Sequence, residues 1–171
     1  MKYLFLIISL VTAESWGDEE LSCDYSHEGY VSIFGDDDVI LRASVKGRKC
    51  YETALNIKLM SKERVLYSYS APFKSHVATH WEDLELLDVK KYVDSLFKEY
   101  RFSSCAELLP QKLSPLDGWN YNRLLVAEIE YSKFRAMPCK SYTHQTHYEV
   151  HRVIVFPISK RVGVPVAEYG L

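Results

Sequence analysis

The chain has 171 residues with 23 acidic and 21 basic side chains, a formal net charge of −2 and a hydrophobic content of 47%. This balance argues against nucleic acid as a main partner, because neutralising phosphates takes a basic excess, and against intrinsic disorder, because there is enough apolar surface to bury. The length suits one domain with a single real core.

The first residues, MKYLFLIISLVTAES, have the layout of a secretory signal. Lys2 gives a positive start, residues 3–11 an apolar run, and Val11, Thr12 and Ala13 a small-residue exit before Glu14. The run is too short to cross a bilayer, which takes about 20 residues. Cleavage after Ala13 is expected, leaving residues 14–171 as a single mature domain, secreted or periplasmic. Cys23, the first cysteine, is separated from the run by Asp18, Glu19 and Glu20, so a lipid-anchored form is not expected. No N-x-[ST] sequon is present, which favours the bacterial periplasm over eukaryotic secretion. No later segment is apolar enough to span a membrane.

Cys23, Cys50, Cys105 and Cys139 make an even set, which in an exported chain reads as two disulfides. None of their spacings is C-x-x-C, so redox and zinc-ribbon readings are weak. Of the three possible pairings, Cys23 with Cys50 and Cys105 with Cys139 each close a local loop between neighbouring elements. These are the favoured pairs.

From Tyr30 to Tyr69 apolar residues recur at every second position, as in Val39, Leu41, Ala43 and Val45, in Leu55, Ile57 and Leu59, and in Val65, Tyr67 and Tyr69. Period two means strands with one face buried, and the turns between them predict a four-stranded antiparallel meander. Residues 14–41 hold nine acids and no Lys or Arg, whereas residues 42–75 hold eight bases against Glu52 and Glu63. Pairing of adjacent strands of opposite sign explains this better than a docking surface does.

After Pro72 the period changes. Val89, Tyr92, Val93, Leu96, Phe97 and Tyr100 fall at steps of three and four, which predicts one main helix capped by Asp88, with Asp94 and Lys98 paired on its wet side. Ser104, Cys105, Ala106 and Glu107 match a capping box and predict a second, short helix. Residues 110–123, with Pro110, Pro115, Asp117 and Gly118, read as a loop. Strand signals return with Leu125, Ala127, Ile129 and Tyr131, then over 148–158, then over 162–167. Pro157 and Pro165 place this last hairpin toward a sheet edge. The expected fold is α+β: six or seven mainly antiparallel strands, one main and one short helix packed on one face, and two disulfides.

Candidate chemistry centres on THQTHYEVH, residues 143–151. If residues 147–151 are extended, His147, Glu149 and His151 share a face and are plausible zinc ligands, with His144 just upstream. On a straight strand the end residues lie about 13 Å apart, so a pair such as His147 and Glu149 with a ligand from elsewhere is the realistic version. His76 and His80 have the spacing of two ligands on a helix, but without the glutamate of a metalloprotease motif. Asp36, Asp37 and Asp38 after Gly35 read as a turn rather than a calcium loop. No nucleophile elbow, phosphate loop or dinucleotide fingerprint is present, and Glu128 with Glu130 reads as strand surface. No catalytic residue or resident cofactor is therefore expected.

Thirteen tyrosines, among them Tyr67 and Tyr69, and Trp16, Trp81 and Trp119 are the remaining lead. Such side chains suit half-dry recognition surfaces, and Trp16 and Trp119 sit in loop-like settings. The expectation is a non-catalytic binding domain for a protein or envelope-glycan partner, with a metal-binding protein or metal-dependent hydrolase as the alternative.

Overall fold

Alternating side chains build the first sheet. Strands β1 (Tyr25–Val31), β2 (Val39–Lys46), β3 (Ala54–Ser61) and β4 (Arg64–Pro72) pair antiparallel in chain order. Val39, Leu41, Ala43 and Val45 of β2 and Leu55, Ile57 and Leu59 of β3 are buried on one face, while Arg42, Lys46 and Lys58 stand on the other. At one point the ladder slips: Leu59 faces Tyr67 and Met60 faces Val65, so Leu66 is the extra residue of a bulge. The bulge turns both Leu66 and Tyr67 inward. These observations come from a computed structural model that describes residues 22–35, 39–78, 80–108 and 122–170. The expected signal segment, the acidic triplet 36–38 and most of the 110–123 loop lie outside the described residues, as do Trp16 and Trp119.

Five strands form the second sheet: β5 (Phe102–Ser104), β6 (Asn122–Leu124), β7 (Cys139–His147), β8 (Val150–Pro157) and β9 (Val164–Gly170). Their spatial order is β5-β7-β8-β9-β6, antiparallel throughout. Tyr142, Ile154 and Phe156 on its inner face join the buried face of the first sheet in one core. Helix α1 (Leu86–Ser95) completes that core with Val89, Tyr92 and Val93, and Leu96 follows directly after it. On the far face Val153, Val155 and Val166 pack with Tyr131 and Phe134 of helix α2 (Glu128–Ala136), a second and smaller core. The fold is α+β and mainly antiparallel sheet.

Two disulfides pin the ends of these layers. Cys23–Cys50 (Cα–Cα 5.1 Å) ties the entry to β1 to the turn before β3, and Cys105–Cys139 (5.3 Å) ties the turn after β5 to the start of β7. They close 27- and 34-residue separations, so each contributes about 3–4 kcal/mol, mainly by restricting the unfolded chain. Such bonds are consistent with an oxidising, extracellular compartment. Among the described residues no helix is long and apolar enough to cross a membrane.

Several local expectations give way. Residues 128–136, expected in part as a strand, are α2: Tyr131 and Phe134, three apart, are its buried pair, while Ile129 is 70% exposed. Glu128 and Glu130 lie in its first turn and Lys133 and Arg135 in its last, which suits the helix dipole. The capping box at Ser104 is real, since its hydroxyl accepts from Ala106 N at 3.2 Å, but it opens only a single 3-10 turn. The stripe of α1 stops before Tyr100, which is 71% exposed. Asp88 accepts from Glu85 N at 3.2 Å, so it caps from three residues inside the helix rather than from the cap position. Asp94 does not serve Lys98; it accepts from Tyr25 Oη and His27 Nδ1, both at 2.7 Å, binding α1 to β1. The hairpin of β8 and β9 is interior, not at the edge. Pro165 is tolerated because it stands at a register shift beyond the reach of β6, and Pro157 because it ends β8.

Candidate functional site

Tyr67 and Tyr69 of β4 reach across from the first sheet to the second. The Nδ1 of His144 lies 2.8 Å from the Gln145 carbonyl, which can only accept, so Nδ1 carries the proton and Nε2 is free to accept. Tyr67 Oη therefore donates to His144 Nε2 at 2.7 Å. Tyr69 Oη lies 2.9 Å from the Thr146 carbonyl and 3.1 Å from His76 Nε2. The Nδ1 of His76 in turn faces the carbonyls of Pro72 and Phe73. One tyrosine proton thus serves two acceptors.

Arg152 and Glu168, opposite each other on β8 and β9, border these tyrosines. Arg152 donates to Glu168 Oε1 from Nε at 2.9 Å and from Nη2 at 2.6 Å, and its guanidinium lies 5.8 Å from the centre of the Tyr69 ring. Sequence reading missed this pair. Its signal was an arginine at the position that alternates with Ile154 and Phe156, a charge on the apolar side of a strand.

The electrostatics of the cluster are those of a sealed joint. His144 is 0% exposed, and burial drives its pKa down to about 3, so the ring is neutral. Burial likewise lowers the pKa of His76 and pushes Tyr67 and Tyr69 up to about 12. Near neutral pH burial thus keeps His144 uncharged and both phenols protonated.

The remaining residues of the metal reading are dispersed in role. His147 ends β7, Tyr148 and Glu149 make the turn and His151 belongs to β8, so residues 147–151 are a hairpin tip and not one extended face. Glu149 sits at φ 62, and its backbone turns the chain. His151 stacks on Tyr169 with ring centres 5.4 Å apart and lies 3.5 Å from Arg101 Nη1. The tip docks on the turn holding His76, where Tyr148 N donates to the Ser75 carbonyl. His80 is exposed and lies beyond that turn, so His76 and His80 share no helix. Among the described residues no three of His, Cys, Asp and Glu come together as a ligand set for zinc.

The outer face of the first sheet is different in kind. Strand register lines up Tyr30, Ile40, Met60 and Val65 in one cross-strand row, with Tyr30 73% and Val65 48% exposed. The next row is Glu28, Arg42, Lys58 and Ser68, and the one after is Ser26, Ser44, Asn56 and Ser70. Arg42 is bound to Glu28, whereas Lys58 and Lys46 add positive charge beside it. Helix α1 lies on the opposite face, against Tyr25 and His27. Comparison of the chain with known protein families, with curated proteins and with solved structures found no match.

Proposed function

We propose that this is an exported, non-catalytic binding domain that docks a protein partner on the outer face of its four-stranded sheet. The observation that carries the reading is the row of Tyr30, Ile40, Met60 and Val65 beside the polar row of Glu28, Arg42, Lys58 and Ser68. Tyrosine, methionine and arginine are the side chains enriched at protein interfaces, and a flat sheet face presents them without the ordering cost of a loop. Lys46 and Lys58, beside the Arg42–Glu28 ion pair, favour a partner with acidic residues around an apolar centre. The neutral, sealed cluster between the sheets supports a structural role for the interior. Two disulfides and the N-terminal sequence support a secreted or periplasmic setting.

The test is a photo-crosslinking residue placed at Met60, with Lys133 on α2 as the control position, in the exporting cell. The expected result is one adduct of defined mass at Met60 and none at Lys133. Purified with that partner, Tyr30→Ala should weaken binding about tenfold, as loss of an interface anchor does. Identical adducts at both positions, or none at Met60, would remove the reading.

A further inference from the structure

At the β3–β4 turn end of the first sheet, one residue row beyond Tyr30, Ile40, Met60 and Val65, the surface is indented. Phe34, Val39 and Leu66 form the apolar floor of a concavity of about 370 Å³. Lys62 and Arg64 from the β3–β4 turn and Arg161 from the β8–β9 turn stand around it. Ser61 and Glu63 complete the lining, so among the described residues three cations and one carboxylate stand around it.

Two features fix the backbone of the turns that carry Lys62 and Arg161. Lys62 has φ 54 and Arg161 φ 46, a left-handed conformation that favours glycine, yet each position holds a long basic side chain. Moreover, the turn bearing Arg161 is fixed against the first sheet. Arg161 N donates to the Pro157 carbonyl at 3.1 Å, and Gly163 N donates to the Leu66 carbonyl at 2.8 Å. A Cβ on Gly163 would lie 2.8 Å from Ile154 Cγ2 and Phe156 Cε1, so the approach is as close as a glycine permits. The result is a largely basic rim over an apolar floor, drawn from two turns.

We propose that this concavity binds a small organic acid, a carboxylate carried on an apolar body. A concave site with an excess of positive charge among its described residues attracts anions, and Arg64 and Arg161 offer forked donors that match a carboxylate. Phe34, Val39 and Leu66 take up the hydrocarbon. The volume is at the small end of ligand sites, which suits an acid the size of phenylbutyrate.

The experiment is an NMR titration of the full disulfide-bonded chain with phenylbutyrate, its neutral amide, and a short peptide ending in a free phenylalanine carboxylate. Expected are saturable shifts at the amides of Ser61, Lys62, Arg64 and Arg161, with the neutral amide binding about tenfold more weakly. Arg64→Gln and Arg161→Gln, both surface changes, should each weaken the acid by roughly tenfold, and Lys140→Gln should leave it unchanged. No saturable shift overturns the proposal, as does equal binding of the amide. Binding of the peptide without the free acid also overturns it, making a chain terminus the ligand. So does binding that emerges only after Asp36, Asp37 and Asp38 are changed to Asn, because the chain's own acids would then be what meets these cations.

Discussion

Tyr67 and Tyr142 are the same side chain in the same core, and burial holds both phenols protonated, yet their hydroxyls differ in one respect. Tyr67 Oη has His144 as its acceptor at 2.7 Å, whereas Tyr142 Oη is buried with no partner among the described residues. An unpaired buried hydroxyl costs stability, and a paired one that is removed strands its partner. Tyr142→Phe is therefore expected to stabilise by about 1 kcal/mol, and Tyr67→Phe to destabilise by about 1–3 kcal/mol by orphaning His144 Nε2. Urea unfolding of both variants checks this, and equal effects of like sign would refute it. Neither role was legible in the sequence. Tyr67 and Tyr69 alternate with serines like any strand pair, and only the bulge at Leu66 and the crossing of a second sheet decide which hydroxyl finds a partner.

At the scale of elements, the meander was readable and residues 125–136 were not. Val39, Leu41, Ala43 and Val45 alternate over a whole strand, a signal that holds wherever one face is buried. Over 125–131 alternation arose by coincidence, since Leu125 and Ala127 precede the helix and Ile129 is on its wet side. Only Tyr131 and Phe134, three apart, mark the buried side of α2, and a nine-residue helix has room for few such marks. The two assignments make opposite predictions. Ile129→Glu should change stability by less than about 0.5 kcal/mol, while Tyr131→Ala should cost roughly 3 kcal/mol. Guanidine unfolding decides: a large loss at Ile129 would mean that the alternation was structural after all. Strands β5 and β6 were invisible for a simpler reason, because three residues carry no period.

For the molecule as a whole, the buried histidines set a pH dependence of definite sign. An unfolded histidine takes up its proton near pH 6.5, whereas folded His144 stays neutral down to about pH 3. Its contribution is complete above pH 6.5 and is lost as acid draws protons to the unfolded chain. At pH 5 the loss from His144 alone is about 2 kcal/mol, and His76 and His151, also lowered by burial, act in the same direction. Asp94, held low by His27 and Tyr25, weakens the fold only on further acidification through the carboxylate range. Unfolding free energy measured from pH 8 to pH 5 should therefore fall below pH 6.5. In the double variant His144→Phe with Tyr67→Phe the slope should drop by one proton. A slope that the double variant leaves unchanged would show that His144 is not the titrating group.

Sequence by itself determined the class: an α+β chain with an amphipathic sheet, an amphipathic helix, and cysteines spaced to close two local loops. These follow from local periodicity and loop entropy, which need no knowledge of distant neighbours. The tertiary structure alone decided the sites. Histidine 144 looked like the approach to an exposed hairpin and became the centre of a sealed joint, because its strand lies against the tyrosines of a strand 77 residues earlier. The basic rim over Phe34, Val39 and Leu66 draws on turns nearly 100 residues apart. Whether a polar side chain is a ligand, a clamp or surface depends on what faces it, and that is settled by packing of elements remote in the chain.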